Sequence, residues 1–171
     1  REQFDAARAF VASLSVKTPL VIPGNHDIPL LNVVARVFAP HAGFARAFGP
    51  DLEPIVTLPG VMMIGVNTTR RFRHVDGEVS AAQIARVARD LRRASDDQLR
   101  IVVVHQPVAV SRDEDRKNLL RGHAAAIAAW SEAGADLILG GHIHLPYVRN
   151  LQVANPDLPR RLWAVQAGTS L

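Results

Sequence analysis

The chain contains no cysteine. That excludes a disulfide framework and any thiolate metal site, so a metal could be held only by His, Asn, Asp or Glu. Aromatic residues make up only 5% of the 171 positions, too few for a stacking platform along a nucleic acid. The apolar stretches fall far short of the roughly 20 residues that cross a bilayer. No secretory leader pattern opens the chain. No membrane partner and no nucleic acid is therefore expected, and a cytoplasmic location is. Basic runs are also missing. The net charge of +4 comes mainly from doublets such as Arg70-Arg71, Arg92-Arg93 and Arg160-Arg161, which read as solvated faces with a modest preference for anionic ligands.

What is present is an ordinary globular composition, 48% apolar and 21% charged, in a length that suits one domain or slightly less. No repeat, low-complexity segment or long linker divides it. The pattern alternates between helix and strand in the manner of an α/β layered domain. An amphipathic helix spans 1–14, with Phe4, Ala7, Val11 and Leu14 on one face. A short buried strand is expected from Pro19 to Ile22, then helices at Leu30–Phe38 and Ala42–Phe48. Strands at Ile55–Leu58 and Val61–Val66 flank Pro59-Gly60 and predict a hairpin. Ser80 and Gln83 form a capping box that opens a helix running to about Ala94. A β-branched run, Leu99–Val104, reads as a strand covered on both faces. A helix at Ala124–Glu132 and strands at Asp136–Leu139, Tyr147–Val153 and Leu162–Gln166 complete the pattern. Both ends read as cut. Arg1 lies inside a running helix and Leu171 follows a strand.

One stretch breaks the pattern: "LVIPGNHDIPL", residues 20–30, where an apolar run stops on Gly24 and presents Asn25, His26 and Asp27 in succession. Such residues make an ordinary polar turn, or the rim of a site. The histidines help to weigh the two readings. His26, His105, His142 and His144 each follow the carboxyl end of an expected strand, the edge where open α/β sheets place ligands. In "GGHIH", imidazoles two residues apart share a face if the segment is extended, and Gly140-Gly141 lets the backbone bend. His-x-His alone is compatible with exposed histidines or with a metal site. His41, His74 and His123 lack polar companions in sequence and are given structural roles.

Taken together and in this order, 24-GNHD-27, His105 in 101-IVVVHQP-107 and 141-GHIH-144 resemble the calcineurin-like metallophosphoesterases. The continuation "GNHDIPL" is most similar to the branch of cyclic-nucleotide and glycerophosphodiester phosphodiesterases. The resemblance implies a four-layer α/β/β/α sandwich of two mixed sheets. It implies a metal-dependent hydrolase acting on a small-molecule phosphoester through two divalent ions, manganese, iron, zinc or cobalt. Asn25, His105 and His142 would then bind one metal and His144 the other. His26 would approach the scissile phosphate, and Asp27 would fix an imidazole tautomer from behind. Two ions about 3.5–4 Å apart clamp a phosphate and acidify the attacking water.

The departures matter as much. No Asp-x-His followed by Gly-Asp occurs before Gly24, so three ligands of the family pattern are missing, including the bridging carboxylate. Gln106 stands where many relatives carry a second histidine. Residues 1–171 are accordingly expected to be a single domain fragment, incomplete at both ends, without the first two metal-ligand motifs. Alone it would be inactive and hold at most one ion, weakly. The alternative is a non-catalytic relative that serves as a binding or regulatory module. Missing terminal strands would leave unpaired sheet edges, through which the chain would self-associate.

Overall fold

A computed structural model describes residues 2–73 and 75–168. The order of elements is α1 (Glu2–Ser13), α2 (Val33–Phe38), α3 (Ala42–Phe48), β1 (Ile55–Leu58), β2 (Val61–Gly65), α4 (Ala81–Leu91), β3 (Leu99–Val103), α5 (His123–Glu132), β4 (Leu137–Gly140), β5 (Tyr147–Asn150), α6 (Leu151–Ala154) and β6 (Trp163–Gln166). Two 3-10 turns, Asn25–Asp27 and Asp113–Asn118, interrupt the loops. No helix among the described residues is long and apolar enough to cross a membrane.

The strands form one mixed sheet in the order β1-β2-β3-β4-β6-β5. Strands β2, β3, β4 and β6 run parallel, and the two edge strands pair antiparallel. Register explains the core. Ile64, Val102, Ile138 and Ala164 are consecutive partners across the four parallel strands, so their side chains form one row on one face. All four are buried, and Val87, Leu91, Ile127 and Trp130 from α4 and α5 join them in one cluster. The next row, Met63, Ile101, Leu137 and Trp163, points to the opposite face. There Met63, Leu137 and Trp163 are only half-buried. Of the two sheets implied by the resemblance, this single sheet is the one formed among the described residues.

Several expected elements come out differently. Pro19–Ile22 is not a strand. Strands β2, β3, β4 and β6 already have neighbours on both sides, so the segment has no ladder to join there. It crosses a face of the sheet instead, close enough that a Cβ on Gly65 would come within 2.8 Å of Ile22 Cγ2. Helix α2 begins at Val33 rather than Leu30, because Asn32 caps it by accepting from Ala35 N–H at 2.9 Å. The expected strand Tyr147–Val153 stops at Asn150, whose side chain accepts from Gln152 N–H at 3.0 Å and starts α6. The hairpin at Pro59-Gly60 forms as expected, with Gly60 at φ 76°. So does the capping box of α4, in which Ser80 and Gln83 bond reciprocally.

Candidate active site

Parallel strands deliver their carboxyl ends to one edge of the sheet. Two residues past β3 lies His105, and just past β4 lie His142 and His144. The backbone joins these two loops directly, since Gly141 N–H donates to the carbonyl of His105 at 3.0 Å. The 3-10 turn Asn25–Asp27 faces them. Gly24 makes this approach feasible, because a Cβ there would lie 2.9 Å from Cε1 of the His105 ring. Asp27 closes the turn by accepting from Gly24 N–H at 2.7 Å.

The result is a convergence on one atom. Asn25, only 5% exposed, places its Oδ1 at 2.8 Å from His105 Nε2 and 3.2 Å from His142 Nδ1. The two rings sit edge to face with centroids 5.1 Å apart. One amide oxygen thus accepts from two imidazole N–H groups. With those nitrogens deprotonated, the same three atoms are one oxygen and two nitrogen donors turned towards each other. Burial, with the neighbouring His142, His26 and His144, pushes the His105 imidazole down to about 4. Burial also lowers His142, with His26 and His144 adding to the shift. Both rings are therefore neutral at neutral pH, which is the ligating form. The same electrostatic effects put His26 and His144 in the neighbourhood of the pair.

The loop that carries His142 and His144 is conformationally strained. Both residues have positive φ, 76° and 58°, a region that costs non-glycine residues energy. Gln166 holds this loop from the last position of β6. Its side-chain amide donates to the carbonyl of Gly141, and the next residue, Ala167, donates its N–H to Gly140 at 2.8 Å. Gln106, fully buried beside His105, accepts from Thr68 Oγ1 at 2.5 Å and packs against Gly77. Gln166 did not stand out in sequence, and Gln106 did so only as a departure from the pattern the chain resembles. The signal for Gln166 was a polar residue ending an otherwise apolar strand.

The remaining expectations divide. Asp27 lies beside His26 and His41, and burial raises its carboxyl above the usual range. Its visible bond is to the Gly24 backbone rather than to an imidazole. His41 has a partner after all, with Nε2 3.3 Å from Asn67 Nδ2. His123 Nδ1 donates to Leu120 O at 2.8 Å. His74 lies outside the described residues, as do the last three positions of the expected terminal segment.

The donor chemistry fits one divalent ion in part. Two neutral imidazoles and an amide suit a borderline cation such as zinc, cobalt or nickel better than a hard one. Among the described residues, no group of three or more His, Cys, Asp or Glu side chains is arranged to hold a metal. The sequence pattern of the calcineurin-like phosphoesterases matches residues 2–146. No curated protein matches the chain.

Proposed function

The chain belongs to the calcineurin-like phosphoesterase family, and from that membership we propose a phosphodiesterase domain in which Asn25, His105, His142 and His144 are metal ligands. The family is one of metal-dependent hydrolases of phosphoesters. The convergence of His105 and His142 on Asn25 Oδ1 carries the reading for this chain. Divalent ions bound there would neutralise charge on the phosphate and acidify a water. Asn25 supplies its amide oxygen to one ion, and His105 and His142 supply neutral nitrogens. His144 serves the second ion. His26 follows Asn25 in the same turn, so it can donate to a phosphate oxygen or to the leaving group. Asp27 holds that turn closed through Gly24, which fixes the direction of His26. Zinc or cobalt fits these neutral donors, manganese or iron would need carboxylate donors beside them, and the substrate is a small cytoplasmic phosphodiester.

On this reading residues 1–171 lie in a single domain. With no Asp-x-His and Gly-Asp before Asn25, the donors left to the second ion reduce to His144. The 171-residue chain should therefore bind one cobalt or zinc ion, with affinity lost in Asn25→Ala and His142→Ala, and show no manganese-dependent cleavage of a bis-aryl phosphodiester. Turnover by this chain that His144→Ala abolishes would overturn the need for the missing carboxylates. Ion binding unaffected by Asn25→Ala would overturn the site itself. The second reading, a binding module without catalysis, rests on the donors that converge at Asn25 being an amide and two neutral imidazoles. Activity in a longer chain carrying both upstream motifs would decide against it.

A further inference from the structure

Directly after the candidate turn the chain does something costly: it turns apolar side chains to water. Leu31 is 91% exposed, Phe38 82% and Phe72 75%, with Leu30, Val33 and Val34 exposed as well. Helix α2 buries none of its residues. Its valines are poor helix formers, so neither propensity nor packing on the core accounts for it. Two arginines staple it to the turn at 70–73. Arg36 Nε donates to Arg71 O at 2.6 Å, and Arg71 Nη1 donates to Val37 O at 3.0 Å. The Arg71 guanidinium also lies 4.8 Å over the Phe72 ring. The staple holds α2, with its exposed valines and Phe38, beside the turn that carries exposed Phe72.

Charge says what would cover that face. Residues 28–38 and 69–73 contain Arg36, Arg70, Arg71 and Arg73 and no Asp or Glu. Arg73 is paired with Asp76 and Glu78, whereas the bonds of Arg36 and Arg71 go to carbonyls and leave their charge uncompensated there. Pairing this face with the same face of a second copy would bring four such guanidinium groups together with no acid between them. An anionic lipid surface satisfies both halves, with acyl chains for the apolar groups and phosphates for the guanidiniums.

We propose that α2 and the 70–73 turn form a docking face for an anionic bilayer surface, which seats the rim of the Asn25–Asp27 turn at the lipid–water boundary. The face lies flat on the interface and does not span it, in keeping with the lack of a long apolar helix among the described residues. The proposal does not depend on metal binding.

The test is co-sedimentation of the 171-residue chain with vesicles of phosphatidylcholine alone or with about 30% phosphatidylglycerol. The expected result is binding to the anionic vesicles, about tenfold weaker without phosphatidylglycerol and weakened again at high salt. The exposed double variant Leu31→Ser/Phe38→Ser, folded by circular dichroism, should lose about tenfold in partition. Arg93→Ala, at an exposed arginine on another part of the surface, should lose nothing. No binding to anionic vesicles, an unchanged double variant, or an equal loss in Arg93→Ala would each overturn the proposal. So would light scattering that shows a dimer dispersed by the double variant, because the occupant would then be a second copy.

Discussion

At the scale of single residues, the absence of a side chain at Gly24 is as informative as the histidines. Its φ of −102° is open to any residue, so glycine is not required there for backbone conformation. It is required for space, since a Cβ would lie 2.9 Å from the His105 ring. Gly24→Ala should therefore leave the turn intact and push the imidazole off Asn25. Cobalt affinity, read from its visible absorption, should fall at least tenfold, the scale of a displaced orienting group. Unchanged affinity would show that the ring has room to move. The depressed His105 also gives stability a pH dependence. Its imidazole titrates at about 4 in the fold and near 6.5 in the unfolded chain. Above pH 6.5 both states are neutral and nothing is lost. Between 6.5 and 4 the unfolded chain takes up the proton first, so stability falls as pH falls, by on the order of 3 kcal/mol for the apo chain. His142, lowered in the same direction, adds to the loss. Urea melts at pH 7 and pH 4.5 measure it, and His105→Gln should flatten the difference.

At the scale of elements, the site depends on helices packed on the face of its sheet. Helices α4 and α5 cover one face of the sheet, and Trp130 is the largest fully buried side chain in that layer. Its indole Nε1 donates to Ile84 O at 3.3 Å, which ties α5 to α4. Truncation to alanine removes a large buried volume and the bond that ties the two helices. Trp130→Ala should cost about 3–5 kcal/mol, measured by denaturant unfolding. The same variant should shift β3 and β4, because Val102 and Ile138 rest in the same cluster, and so loosen the loops that carry His105 and His142. A loss below about 1 kcal/mol would mean that the layer repacks without harm.

At the scale of the whole molecule, the sheet is unequally covered. One face is closed by α4 and α5, while on the other Met63, Leu137 and Trp163 are half-buried. The sheet also ends in two edge strands, β1 and β5, and β1 keeps Ile55 and Leu58 exposed at 45% and 39%. Open edges with apolar neighbours are templates for pairing with another chain. The 171-residue chain should associate as its concentration rises. A monodisperse monomer in light scattering throughout a concentration series would refute this. Replacing Ile55 with Lys, on the exposed side of β1, should reduce the association if the edge is responsible.

What the sequence determined by itself is whatever depends on neighbours a few residues away. The capping box at Ser80, the turn at Pro59-Gly60, the buried β-branched run of β3 and the spacing of "GNHD" and "GHIH" are local patterns, and each was legible in the chain. The grouping of His105, His142 and His144 after strand ends was legible too, because a parallel sheet sends every carboxyl end to one edge, whereas His26 follows no strand because Pro19–Ile22 forms none. Contacts between distant segments were not. Whether Pro19–Ile22 becomes a strand depends on which segments the fold sets side by side, and β1 and β3 fill both positions beside β2. The meeting of Asn25 with His105 and His142 spans 80 and 117 residues, so no local pattern encodes its distances. Gln166 became visible only when β6 came to lie beside β4, register bringing its amide to the Gly140-Gly141 turn. The exposed face of α2 arose in the same way. Its segment reads in sequence as a short helix, and only the tertiary fold shows that none of its residues is buried among the described residues.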